Sequence, residues 1–176
     1  EQRLAGYWSM RTGIVEPAGN VRSYSDFSQD VTLPLSTTIT LRLHRWPSSG
    51  SSAAQAAAPA APAALAATTL DEFYRLLETA ENDLQYVLLI RQPGNKIVYL
   101  YTGLDNQQAW VEQTFDLSAY GGQAVRLQFG TFNNGSGALA AQYFDVLEVQ
   151  AVAPLTHSWW LPVILKEAGG TLPPAQ

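Results

Sequence analysis

A two-residue apolar period that returns again and again, broken by turns, constrains this chain more than any other feature. In TTITLRLHRW (37–46), Ile39, Leu41 and Leu43 share one face while Thr38, Thr40, Arg42 and His44 take the other. Successive side chains of an extended chain point to opposite sides, so this pattern predicts a half-buried strand. LQYVLLIRQPGNKIVYLYTG (84–103) adds two more, with Leu84, Tyr86, Leu88 and Ile90 alternating before QPGN and Ile97, Tyr99 and Tyr101 after it. Pro93 fixes φ and Gly94-Asn95 tolerates unusual φ, which predicts a hairpin turn there. Phe27 with Val31 or Leu33 fits an inward set, and Val125, Leu127 and Phe129 form a cleaner one. The closing strand AQYFDVLEVQ (141–150) places Tyr143, Asp145, Leu147 and Val149 on one side. Several short antiparallel strands without alternating helices predict an all-β sandwich.

One stretch breaks the pattern. Pro47 to Thr69 is rich in Ala, Pro and Ser, a composition that builds no core and reads as a linker or loose loop. TLDEFYRLLETAEN (69–82) then reads as a short amphipathic helix: Thr69 and Glu72 have capping-box spacing, and Leu70, Phe73, Leu77 and Ala80 recur at helical intervals. Residues 47–82 are thus expected as an insertion within a single domain spanning 1–152, followed by a tail, 153–176. The helix either covers its own sandwich or reaches another molecule. A chain of 176 residues holds one sizeable core, and two independent domains would be crowded.

Composition narrows the function classes. A net charge of -5 supplies no basic field for a phosphate backbone, so no nucleic-acid partner is expected. There is no cysteine, which excludes disulfides, thiolate metal sites and cysteine nucleophiles. No run reaches the roughly 18 apolar residues of a membrane span. The low share of charged residues, 14%, suits an extracellular protein, and a start at Glu1 suits a processed product or excised domain. A secreted or cell-surface location is the expectation.

WVEQTFDLSAYGG (110–122), VRLQF (125–129) and YFDVLEV (143–149) carry a family likeness. With Trp110, the Phe115-Asp116-Leu117-Ser118 turn, Tyr120-Gly121 and the closing strand, the chain resembles secreted bacterial jelly-roll modules of the MAM-type, galactose-binding-like and immune-inhibitor-A-associated group. The match is good from about Gln85 to Val149 and looser from Gly6 to Pro34. WWLPVILK (159–166) resembles a segment that ends many secreted bacterial proteins. The resemblance implies an antiparallel jelly-roll β-sandwich, here with an Ala/Pro-rich insertion and one short helix. The family's closing strand carries two adjacent Asp residues; here the second is Val146, so the paired carboxylate is missing.

By match to the family, Asp145 is the inward carboxylate that could hold one structural Ca2+, with Glu16, Asp26, Asp30 and Asp83 as candidate partners. Calcium takes several oxygen ligands from adjacent loops and needs no linear motif. Physically, a carboxylate in register with Tyr143, Leu147 and Val149 is costly to bury unless metal-bound or paired with Arg or turn N–H groups. The remaining alternative is an exposed Asp after a bulge.

No enzyme is expected. Neither His44 nor His157 accompanies a G-x-S-x-G elbow, no carboxylate pair among Asp83, Glu112 and Asp145 is singled out, and neither HExxH nor a phosphate-binding glycine loop occurs. Binding is the leading reading. Trp8, Trp46, Tyr101 and Trp110 could stack on pyranose rings while Asn133 and Asn134 fix hydroxyls, giving a module for an extracellular glycan or surface protein. The alternative is a structural, self-assembling subunit: Trp159, Trp160, Leu161, Val163, Ile164 and Leu165 form an apolar strip that could close over its own domain or join a second copy as a homo-oligomer.

Overall fold

The computed structural model describes residues 2–36, 38–50 and 67–152. The strip Trp159–Leu165 therefore lies outside the described residues, and so do its expected roles. Among the described residues there are eight strands, β1 (Met10–Gly13), β2 (Arg22–Thr32), β3 (Thr38–Ser49), β4 (Leu84–Arg91), β5 (Lys96–Gly103), β6 (Val111–Asp116), β7 (Ala124–Asn134) and β8 (Ala140–Val152), and one α-helix, α1 (Leu70–Thr79), between β3 and β4. They form two four-stranded sheets, sheet A in the order β1-β8-β3-β6 and sheet B in the order β2-β7-β4-β5, antiparallel at every pairing. The chain crosses from sheet to sheet as it proceeds, leaving only β4 and β5 joined as a hairpin within one sheet. This is the strand order of a jelly roll.

The period read from the sequence sets the core. Ile39, Leu41 and Leu43 of β3, with Phe144 of β8 beside them, face Val87, Leu89, Val125, Leu127 and Phe129 across the sandwich, and Leu33 and Leu117 close one end. Phe27 stacks on Phe129, with ring centroids 5.0 Å apart, and meets Phe144 edge-on. The turn at 115–122 works as its residues suggest: the Asp116 carboxylate accepts from the Ser118 amide at 2.9 Å, Leu117 is buried, and Gly122 takes a φ of +76° where the chain reverses.

β4 is buried on both faces. Leu84, Tyr86, Leu88 and Ile90 point away from the sandwich interior into a second core made with Phe73 and Leu77 of α1. The helix is thus packed on its own domain, over the outer face of sheet B. Its capping box is formed: the Thr69 hydroxyl accepts from the Glu72 amide, and the Glu72 carboxylate accepts from the Thr69 amide. At the other end Arg22 of β2 donates to the carbonyls of Leu77 and Glu78, both at 3.0 Å, covering acceptors that have no partner within the helix.

Three expectations are corrected. The insertion does not begin at Pro47, because Pro47, Ser48 and Ser49 continue β3 and pair with β8. A strand proline fits here because β6 has already ended; the Pro47 carbonyl accepts from Gln108, so its missing N–H faces that loop and not β8. Tyr101 does not share a face with Ile97 and Tyr99. An extra residue in β5 shifts the register between Val87 and Leu88, so Ile97 and Tyr99 lie under the helix while Tyr101 packs toward the inner core.

The third correction concerns Asp145, which is not inward. Phe144 is the buried residue, and β8 carries a bulge at Val146, whose φ is +49°. The bulge inverts the alternation, so Asp145 faces outward beside His44 whereas Val149 reaches the core. The carboxylate accepts from the amides of Leu4 at 2.9 Å, Ala5 at 3.0 Å and Val146 at 2.8 Å, docking the N-terminal segment on sheet A. Of the pairings named from the sequence, Arg or backbone N–H groups, this carboxylate takes backbone N–H groups. Burial works against the charge, but the amides of Ala5, Leu4 and Val146, with His44 nearby, hold the carboxyl below the usual carboxylate range.

Two outcomes follow from this architecture. Phe73→Ala, which opens a cavity at a side chain with no exposure, should lower unfolding free energy by ~3–5 kcal/mol in urea melts, whereas Thr69→Ala should cost about 1 kcal/mol through the lost cap. Because the Asp145 carboxyl is depressed in the folded state, its contribution is full above the ordinary Asp value of about 3.9 and is lost as pH falls through the lower folded value. In an NMR titration the Leu4 and Ala5 amide signals should therefore move together with a midpoint below about 3.9, and Asp145→Asn should abolish that transition.

Candidate functional site

Since odd-numbered residues of β3 point inward, the even ones stand on the outer face of sheet A, and opposed residues on neighbouring strands share that face. Three cross-strand rows result. Arg11, Tyr143 and Trp46 stand in line on β1, β8 and β3; Asp145, His44 and Glu112 form the next row; Glu148, Arg42 and Thr114 the one after it. Trp110, immediately before β6, completes the first row: its ring lies 6.0 Å from that of Trp46 at an interplanar angle of 74°.

The two indoles come together although 64 residues separate them, and buried polar ties explain how. Arg45, inward and fully buried, donates from Nε to Gln113 Oε1 at 3.0 Å and from Nη1 to Gln85 Oε1 at 3.3 Å. Its Nη2 pairs with the Asp105 carboxylate, and its guanidinium lies 3.9 Å above the Tyr101 ring. Gln85 in turn accepts from the Asp105 amide at 3.0 Å and donates to the Asp105 carbonyl at 3.1 Å. With Gln108 bonded to the Pro47 carbonyl and Ser49 to the Asn106 side chain, both at 3.0 Å, the 104–110 loop is fixed against the end of β3. That loop delivers Trp110 beside Trp46.

Next to the indoles the charges are ordered. Oε2 of Glu112 accepts from Arg42 Nη1 at 3.0 Å and lies 3.2 Å from His44 Nε2, and the second Nη of Arg42 is 3.4 Å from Glu148. The face therefore joins two half-buried indoles and Tyr143 to a row of acceptors and donors held by one another.

Of the expected ligand-binding residues, the structure brings Trp46 and Trp110 together. Trp8 is 80% exposed on the N-terminal segment that docks on Asp145. Tyr101 is turned inward under Arg45, and burial pushes its hydroxyl up. Asn133 is buried and donates to the Ala140 carbonyl at 3.0 Å; Asn134 receives the Asp83 carboxylate on its amide at 2.8 Å and bonds the Glu81 carbonyl. Both asparagines are taken up by structure, and neither stands beside the indoles. Arg42, His44, Glu112 and Tyr143 enter instead. Their signal was parity: Trp110 with Glu112, and Arg42 with His44 and Trp46, share a side at two-residue spacing.

The candidate calcium ligands are not gathered, and among the described residues no group of three or more His, Asp or Glu could hold a metal ion. Asp145 binds the N-terminal amides. Asp26 accepts from the hydroxyls of Tyr74 at 2.9 Å and Tyr86 at 3.1 Å. Asp30 pairs bidentately with Arg126, whose hydrogen bonds lower its carboxyl. Asp83 is raised by burial, in part offset by the Asn134 amide, and Glu16 opens the 3-10 turn Pro17–Gly19.

An open cleft of about 450 Å³ lies elsewhere, at the end of the sandwich between Ile14, Asn20, Ser49 and Leu139, and its lining has no aromatic face. No helix among the described residues is long and apolar enough to cross a membrane.

No family model matches the chain, and neither does any curated protein. Among solved structures it is similar to TmCBM61 in complex with beta-1,4-galactotriose, at 6% identity over 84% of this chain and 73% of that one, with a TM-score of 0.47. It is also similar to a CBM4 structure at 15% identity over 82% of this chain and 84% of that one, with a TM-score of 0.39. Both likenesses are distant, and the jelly-roll assignment of this chain rests on its own strand order.

Proposed function

We propose that the chain is a non-catalytic glycan-binding module whose binding surface is the outer face of sheet A around Trp46 and Trp110. The observation that carries this reading is the indole pair flanked by an ordered Arg42–Glu112–His44 row. Sugar rings present an apolar C–H face and a rim of hydroxyls. They call for aromatic surface with a few fixed polar groups beside it, and sheet A supplies both on one face. At 74° to one another the indoles make a corner, not a flat platform. Such a corner takes one pyranose against the face of one ring and the edge of the other, which suits a soluble chain more than a flat crystalline surface. A secreted or cell-surface place accompanies the proposal.

The experiment is affinity electrophoresis in gels containing soluble galactan, xylan, glucomannan or mixed-linkage glucan, with a glycan array alongside. The wild-type chain should be retarded by at least one matrix, and Trp46→Ala and Trp110→Ala should each weaken binding at least tenfold, about 1.4 kcal/mol. Tyr24→Ala, on the outer side of the other sheet, should retain it. Undiminished retardation in both tryptophan variants, or none in any matrix with an empty array, sinks the reading.

A further inference from the structure

We infer that this surface selects neutral glycans over acidic ones and that Glu112 sets the preference; the inference rests on the glycan-binding reading of sheet A. Glu112 stands on the face of Trp110, two residues along, and opposite His44. Both of its contacts fall on Oε2, from Arg42 Nη1 and His44 Nε2, so the carboxylate is fixed in orientation. Oε1 has no partner among the described residues, and the side chain is 46% exposed. A carboxylate oxygen held in this way is an acceptor for sugar hydroxyls, which donate to it more strongly than to a neutral carbonyl.

The same geometry rejects anions. Arg42 is shared between Glu112 and Glu148, each Nη donating to one carboxylate, so its charge is already balanced before a ligand arrives. The outer face carries Glu112, Asp116, Asp145 and Glu148 against Arg42 and Arg11, and Arg11 stands at the far end, beyond Tyr143. Arg3 belongs to the N-terminal segment on the β8 side. A uronate or sulfate seated on the Trp46–Trp110 corner would therefore face more carboxylates than guanidiniums, with Arg42 already paired to two of them. Like charges about 7 Å apart in a watery setting repel weakly one by one; several together amount to roughly tenfold in affinity at low salt, and salt screens them.

The test is a glycan array bearing β-linked galactan, glucan, mannan and xylan oligosaccharides beside oligogalacturonates, glucuronoxylan oligosaccharides and sulfated galactans. It is read at low salt and at 0.5 M NaCl with wild type, Glu112→Gln and Trp110→Ala. Expected are stronger signals on neutral glycans than on acidic counterparts at low salt, a gap that narrows at 0.5 M, and a neutral-to-acidic ratio that falls about threefold in Glu112→Gln, the share of one charge. Equal or stronger binding to the acidic glycans that Trp110→Ala abolishes overturns the preference and leaves the binding surface standing. An unchanged ratio in Glu112→Gln overturns the role of Glu112. An array without any signal overturns the inference together with the reading beneath it.

Discussion

The whole structure depends on β3 keeping an unbroken two-residue period for twelve residues while its neighbour β8 adjusts to it. Its odd residues build the inner core through Ile39, Leu41 and Leu43, and its even residues build the outer face through Arg42, His44 and Trp46. A slip of one residue would bury the guanidinium, imidazole and indole and expose three aliphatic side chains, so burial alone fixes the register. The misfit is taken up by β8, which inserts Val146 opposite the Arg42–His44 stretch. One bulge thereby sends Phe144 and Val149 to the core and leaves Asp145 outside to bind the N-terminal segment.

The polar end of the interior serves that face indirectly. A fully buried guanidinium is expensive unless its donors are satisfied, and Arg45 meets this requirement with Gln85, Gln113, Asp105 and the Tyr101 ring. Replacing such a cluster with apolar side chains could be neutral for stability. What apolar packing would not provide is direction: Asp105 is held by Gln85 through both its amide and its carbonyl, and the loop so pinned ends at Trp110. Position is bought here with desolvation.

How much was legible in the sequence follows from which interactions are local. Alternation in β3 and at Val125, Leu127 and Phe129 of β7 and the Thr69–Glu72 capping box involve near neighbours, and the structure contains each of them, whereas β4, read as half-buried, is covered on both faces by the long-range packing of the helix. Pro47 and Tyr101 were misplaced for non-local reasons: the first depends on where β6 stops, the second on an extra residue in β5. Asp145 was misread because a β-branched valine at positive φ carries no sequence signal; Gly or Asn at 146 would have announced the bulge. Trp46 and Trp110 were recognisable singly as aromatics, but their meeting is a product of sheet order. Asn133 and Asn134 read as a turn, whereas β7 extends through them and their side chains donate to the carbonyls of Ala140 and Glu81.

The insertion between β3 and β4 also decides which side of the sandwich is open. Loop closure grows costly only slowly with length, so a surface connection can carry a helix without disturbing the sheets it joins. Here the helix lies on sheet B, where Phe73 and Leu77 cover the outward residues of β4 and Arg22 ties its last turn to β2. The β4 sequence records this, since it is apolar on both alternating sets, as a strand buried on two faces must be. β3 and β6 alternate apolar with polar, as strands with one uncovered face do. Among the described residues, the face that the helix leaves uncovered is thus the one on which sequence places tryptophans beside paired charges, with the N-terminal segment docked on its β8 side. Helix cover over sheet B and polar alternation on sheet A are two readings of the same pattern.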